Sequence, residues 1–132
     1  MREKKILSIC TILFFALICI QCKKKDFSEQ NIYKYEVDSL NTEAFKFIRK
    51  RAWELSFKTA KKADSLAAHI NYAKGRGKSF RIQSYYWNQK GKLDSAFSIL
   101  QTAEHIEKKA KHHKGLLAVY NTRALLYKRN EL

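Results

Sequence analysis

Gly77-Lys78-Ser79 has the residue types of the second half of a phosphate-binding loop. Such a loop needs G-x-x-x-x-G-K-[ST] between a strand and a helix, because clustered backbone N–H groups cradle the phosphates. The first glycine would fall at position 72, where the chain has Tyr72, and the preceding KKADSLAAHIN has a helical apolar pattern. Lys74-Gly75 also recurs as Lys114-Gly115 without the residues that would complete the loop. The stretch therefore reads as a turn between two helical units, with Gly75 or Gly77 leaving one helix and Ser79 near the start of the next. His105, His112 and His113 have the chemistry of metal ligands. Adjacent residues on a helix point about 100° apart, and Lys108, Lys109, Lys111 and Lys114 would repel a cation. They read as a solvated helix end. No serine sits in a nucleophile elbow, no carboxylates pair, and all three cysteines lie within the first 22 residues. The expectation is a protein without enzymatic chemistry, cofactor or metal.

The segment holding those cysteines has its own logic. MREKK is a short basic start, and Ile6 to Ile20 follows with no charge in fifteen residues. That order matches the basic and apolar regions of a secretory signal, and it falls short of the roughly twenty residues that comfortably span a bilayer. IQCKKKD comes next, a cysteine closing the apolar run before three lysines. The arrangement resembles a bacterial lipoprotein signal, which implies that Cys22 is the lipidated first residue of the mature chain. Cys19 and Gln21 depart from the aliphatic and small residues usual in such signals. An uncleaved signal anchor is the other reading, and a soluble buried helix the third. The expected organisation is residues 1–22 as signal or anchor, 23–38 as a polar tether, and 39–132 as the folded domain.

The chain has 132 residues, enough for one small domain. Apolar residues make up 45 % of it, there is no proline, and there are only four glycines. That composition permits a core and long uninterrupted helices. The body repeats with a period of forty residues: Phe57 falls on Phe97, Ala63 on Ala103, Leu66 on Ile106 and Lys74-Gly75 on Lys114-Gly115. The same phase carries Phe80 onto Tyr120, Ser84 onto Ala124 and Trp87 onto Tyr127. Repeats of this length point to stacked supersecondary units. In one unit the pattern predicts a helix from about Lys78 to Lys90, stopped by Gly91 in the left-handed position that follows a helix. A second helix is predicted from about Leu93 to Lys111. Its Leu93, Ala96, Phe97, Leu100, Ala103 and Ile106 form an apolar stripe at three- and four-residue steps.

Ser84, Trp87, Gly91, Ala96, Leu100 and Ala103 together resemble the tetratricopeptide repeat, a pair of antiparallel helices with small and aromatic residues at such intervals. The resemblance covers about residues 40 to 132. It departs from the usual period of about 34 residues and has no proline at the turn. It implies an all-α, antiparallel helix-hairpin solenoid of about two and a half repeats, behind the N-terminal hydrophobic signal or anchor helix. It also implies a function in protein–protein interaction.

Lys and Arg number 27 against 12 Asp and Glu, a net charge of +15. Without the first 22 residues, which hold three basic side chains and one acidic, the balance is still +13. Such an excess favours acidic partners. Arg76, Lys78, Arg81, Tyr85 and Tyr86 are the candidate partner-binding residues, with Tyr85 or Tyr86 the more exposed aromatic. Trp53, Trp87 and Tyr120 read as core. The expected function is a membrane-tethered scaffold in the bacterial cell envelope, with its repeats in the periplasm and an acidic protein or peptide as partner. Alternatively, repeats behind an export signal resemble the sensing part of a membrane-bound histidine kinase or transcriptional regulator, of which this would be a truncated N-terminal segment. A basic nucleic-acid-binding surface ranks behind both, since an exported chain rarely meets nucleic acid. ALLYKRNEL stops where a partner helix should begin, leaving Leu116, Leu117, Leu125 and Leu126 available, so a homodimer through the last helix is a further expectation. Metabolic labelling with a fatty acid tests the anchor: Cys22→Ser is expected to abolish incorporation, and unchanged labelling removes the lipoprotein reading.

Overall fold

The computed structural model describes residues 28–130, and the chain divides into two compact units, residues 1–32 and 33–132. Of the first unit, residues 28–32 are described; they are exposed and begin a helical run that continues to residue 49. Residues 28–38, expected as part of a polar tether, are therefore helical. Cys10, Cys19 and Cys22 lie outside the described residues. Among the described residues no helix is long and apolar enough to cross a membrane.

The fold is all-α. Helix α1, over 28–49, is followed by α2 (Trp53–His69), α3 (Ala73–Gln89), α4 (Leu93–Lys109) and α5 (His113–Arg129). Each of α2 to α5 has 17 residues and three residues separate successive helices, so the repeat of forty is built from two helix-turn units of twenty. The turns are alike. Arg51, Asn71, Gly91 and Lys111, spaced by twenty, have φ of 58°, 54°, 70° and 53°. In every turn this left-handed residue donates its N–H three residues back. The next residue donates five back, as Lys92 N does to Trp87 O at 3.0 Å and His112 N to Glu107 O at 3.0 Å. That paired pattern closes the helix and reverses the chain in three residues. Gly91 takes the role expected of it; the other three turns use side-chain-bearing residues in a conformation that costs them about 1–2 kcal/mol each.

The residue after each left-handed one (Ala52, Tyr72, Lys92, His112) also opens the next helix, accepting its first backbone bond with no side-chain cap. Two of these side chains bond elsewhere: Tyr72 donates its hydroxyl to Asp38 at 3.1 Å, and His112 Nδ1 lies 2.7 Å from Glu107 Oε2.

Helix α3 begins at Ala73, five residues before the expected Lys78. Gly75, Gly77 and Ser79, read from sequence as a turn, are buried in its first two turns. The chain reverses at Ile70 to Tyr72 instead. The residue types that suggested a turn serve packing. A Cβ on Gly75 would lie 2.5 Å from Val37 Cγ1, so glycine allows α1 and α3 to approach. Asn41 of α1 donates Nδ2 to the Gly75 carbonyl at 3.0 Å, and the Ser79 hydroxyl sits 2.9 Å from both that carbonyl and Asn41 Oδ1. Buried polar groups need such partners, and here they tie α1 to α3. Ser56 likewise donates to the Ala44 carbonyl at 2.9 Å, tying α2 to α1.

The core runs along α2 and α4. Ser56, Ala60, Ala63 and Ala67 are the buried positions of α2; forty residues on, Ala96, Leu100, Ala103 and Glu107 are those of α4. Small residues on this column let flanking helices come close, and the larger Phe80, Trp87 and Phe97 fill the space beside it. The phase of forty also governs ring contacts. Phe57 meets Trp87 with centroids 5.7 Å apart, and their equivalents Phe97 and Tyr127 meet at 4.7 Å.

One triad breaks the apolar rule. Where α1, α2 and α3 meet, the residues are Val37, Ala67 and Gly75; their equivalents in α3, α4 and α5 are Gly77, Glu107 and Gly115. The volume that Val37 fills in the first case is filled by the Glu107 carboxylate in the second. Glu107 is only 2 % exposed, with His112 as its hydrogen-bond partner. A Cβ on either Gly77 or Gly115 would overlap the Glu107 side chain. Held from both sides and bonded to His112, that side chain has nowhere to retreat. Gly115→Ala is expected to destabilise the fold by about 1–3 kcal/mol in chemical denaturation. In a Glu107→Ala background the same change should cost under about 1 kcal/mol, a coupling read directly from the double-mutant cycle. An equal cost in both backgrounds would refute the packing account.

Candidate functional site

Helices α3 and α5 contain no acidic residue, whereas α2 carries Glu54 and Asp64 and α4 carries Asp94, Glu104 and Glu107. The ion pairs that cross between helices follow this division. Arg76 Nε of α3 meets Asp64 of α2 at 3.0 Å, and Arg123 Nη2 of α5 meets Glu104 of α4 at 2.7 Å. Asp64 and Glu104 are equivalent positions, but their arginines are not. The equivalent of Arg123 is Gln83, buried in α3 with no partner for its Nε2 among the described residues. Arg76, seven residues before it and on the same face, reaches Asp64 instead.

The five candidate residues separate into two groups. Lys78, Arg81 and Tyr85, with Lys74, follow steps of four, three and four along one stripe of α3. Lys74 is exposed and the other three are half-buried. No carboxylate among the described residues pairs with Lys78 or Arg81. The Tyr85 hydroxyl lies 3.3 Å from Thr122 Oγ1, linking the stripe to α5. Arg76 and Tyr86 belong elsewhere. Besides its pair with Asp64, Arg76 lies over the Phe80 ring at 5.6 Å. Tyr86 stacks on Phe57 at 4.3 Å and donates its hydroxyl to Glu54, which also pairs with Lys90 at 2.8 Å. Both take part in fastening α3 to α2, which the other three do not.

Tyr85 leads to residues that the sequence reading did not select. A recess of about 340 Å³ is lined by Arg49, Arg51, Trp53, Tyr85, Gln89 and Arg129, with Ile48 beside them. The lining brings three arginines, from α1, its turn and α5, together with Tyr85 and Gln89, residue types that all carry hydrogen-bond donors. Arg49, Gln89 and Arg129 are spaced by forty, so the repeat phase already placed them at one register position on three helices. The recess has no nucleophile beside a base and no paired carboxylates. What the arrangement can do is bind planar anions: arginine presents its donors as a fork that matches a carboxylate. Asn130 Nδ2 donates to Asn88 Oδ1 at 2.9 Å, fastening the α5 end of the recess to α3.

His112 serves Glu107, and among the described residues no group of three His, Cys, Asp or Glu is placed to hold a metal. Leu126, expected on the exposed side of the last helix, is fully buried, and Leu116 is half-buried.

Glu104 fastens α5 to α4. Its Oε1 receives Lys108 Nζ at 2.6 Å and the Tyr120 hydroxyl at 3.1 Å, and its Oε2 receives Arg123. The bond from Lys108, then that from Arg123, pull its carboxyl from 4.5 down to about 2. A carboxyl depressed in the fold stabilises above its unfolded pKa, and that contribution fades as pH falls from about 4.5 towards 2. Denaturation midpoints measured between pH 6 and pH 2.5 are expected to drop less for Glu104→Gln than for the parent. Parallel curves would exclude Glu104 from the acid response.

No protein-family model, no curated protein and no solved structure matches the chain.

Proposed function

We propose that the chain is a non-enzymatic scaffold of the tetratricopeptide type, with about two and a half helix hairpins, that grips an acidic segment of a partner protein. The observation that carries the reading is the basic, acid-free character of α3 and α5 where they meet the recess of Arg49, Arg51 and Arg129. An acidic peptide laid across the stripe of Lys74, Lys78 and Arg81 would reach the recess beside Tyr85. Charges of one sign on neighbouring helices reinforce one another, speed the encounter with an anionic partner and reject cationic ones. Hairpin stacking supports the scaffold assignment, because each pair of helices exposes a face that only a neighbour can bury.

The tether is part of the proposal. The apolar run ending at Cys22 would hold the repeats at a bacterial envelope membrane, by acyl chains on Cys22 or as an uncleaved anchor, with the repeats on the periplasmic side. A membrane-held scaffold meets its partners at high local concentration, so modest affinity suffices.

Fluorescence anisotropy with a labelled polyglutamate peptide tests the binding face. The parent is expected to bind with an affinity that falls steeply with salt. Lys78→Glu combined with Arg81→Glu should weaken binding by about tenfold or more, equivalent to about 1.4 kcal/mol. Lys109→Glu, an exposed residue of α4, should change it far less. Equal loss in both variants would reduce the effect to net charge and remove the site. Tighter binding of a single-stranded oligonucleotide of matched charge would turn the reading towards nucleic acid.

A further inference from the structure

The recess beside Tyr85 gathers more positive charge than one carboxylate can answer. Arg49, Arg51 and Arg129 line it, and its lining holds no acid. None of the three pairs with a carboxylate among the described residues. Arg49 lies over the Phe45 ring at 6.0 Å. Like charges gathered round about 340 Å³ repel one another, and a bound anion of more than one charge offsets that repulsion. The lining comes from α1, the turn after it, the first residue of α2, α3 and α5, so the recess belongs to the stack and not to one helix face.

Two of its residues are not what the fold requires at their positions. Arg51 stands in the left-handed place of its turn, with φ 58°. Glycine and asparagine take that conformation most readily, and Gly91 and Asn71 do so in two of the other turns. The Arg51 side chain makes no hydrogen bond or ion pair among the described residues that would offset the strain. Such a residue is retained where its side chain has a use outside the fold. Trp53 is the first residue of α2; Ala73, Leu93 and His113 hold that place in the next three helices. The turn therefore does not require an indole.

A second recess, of about 450 Å³, shares Arg51, Trp53 and Gln89 with the first and so adjoins it. It adds Ala52, Leu55 and the Glu54–Lys90 pair, closed at 2.8 Å. Leu55 is 52 % exposed. The unpaired charge thus ends at Arg51, and beyond Trp53 the lining turns to alanine, leucine and an internally neutralised pair.

We propose that the two recesses together bind a phosphate monoester carried on an aromatic body, the phosphate among Arg49, Arg51 and Arg129 and the ring against Trp53. At neutral pH a phosphate monoester brings a charge of about −1.5 to −2 and three strong acceptor oxygens, where a carboxylate brings one charge and two oxygens. Arginine forks engage such a group two bonds at a time. An indole offers the ring an offset or edge-on contact. The inference rests on the reading of this face as the one that binds anions, and it names the group that fills the recess. A phosphotyrosine side chain within the acidic segment and a free aryl phosphate share that chemistry.

Calorimetric titration of the intact protein with phenyl phosphate, inorganic phosphate and benzoate tests it. Phenyl phosphate is expected to bind about tenfold tighter than either of the others, which lack the ring or the second charge. Arg51→Asn keeps the turn, since Asn71 already holds that conformation, and Arg129→Gln changes an exposed residue near the end of α5. Each should weaken phenyl phosphate about tenfold with an unchanged circular dichroism spectrum. Lys109→Gln, exposed on α4, should bind as the parent does. Trp53→Leu should erase the advantage of phenyl phosphate over inorganic phosphate. A peptide with phosphotyrosine among glutamates separates the two sources: tighter binding than phenyl phosphate makes the occupant a partner's side chain, and binding no tighter makes it a free ester. Benzoate bound as well as phenyl phosphate, no binding of phenyl phosphate, or indifference to both arginine variants overturns the inference. Polyglutamate titrated alongside keeps the two proposals apart. If it binds while phenyl phosphate does not, the scaffold reading stands without this one; if neither binds, both fall.

Discussion

How closely the helices can approach one another governs this protein. Each turn spends only three residues, and its left-handed residue returns the chain immediately alongside the helix it left. Helices held so tightly can only pack if one of each pair presents small side chains to its neighbours, and α2 and α4 do so with alanine and serine at most of their buried positions. Where the column is not small, the neighbours must yield. Glu107 is accommodated because Gly77 and Gly115 withdraw on either side of it. Two glycines inside helices each give up about 1 kcal/mol relative to alanine, and here they admit a buried carboxylate with a histidine to satisfy it.

The same spacing sorts the charges. Positions forty apart occupy the same face of successive hairpins, so a basic residue repeated at that interval builds a basic surface across helices far apart in sequence. Arg49 and Arg129 are eighty residues apart and line one recess because each sits at the same place in its own helix. The acids of α2 and α4 are drawn to the arginines that fasten α3 and α5, and among the described residues no carboxylate pairs with Lys78 or Arg81. Two basic residues of one helix thus differ in use: Arg76 fastens α3 to α2, and Lys78 has no carboxylate partner among the described residues. Residue type alone does not distinguish them.

Parts of this were legible in the residues. Ala96, Leu100 and Ala103 at helical steps announced the stripe of α4, and Gly91 marked its turn, because both signals are local. Gly75 and Gly77 misled for the same reason. Glycine is a turn signal when nothing else is known, and its other use, admitting a neighbour's side chain, depends on Val37 and Glu107, each thirty or more residues away. The true turn at Asn71 carries no glycine or proline, since the hydrogen bonds to Ala68 and Ala67 hold it closed. Tyr86 looked available for a partner because it stands next to Tyr85. Adjacent residues on a helix point about 100° apart, and that angle sent Tyr86 onto Phe57.

The sequence by itself determined the helical class, the phase of forty and the excess of positive charge, all of which depend on composition and on spacing along one chain. Tertiary structure alone decided that the helices divide the forty into two twenties, that Glu107 lies buried, that Arg76 pairs with Asp64, and that Leu126 of α5 is covered. Each of those depends on which residues from separate helices come within a few ångströms, and periodicity names the face of a helix without naming what lies against it.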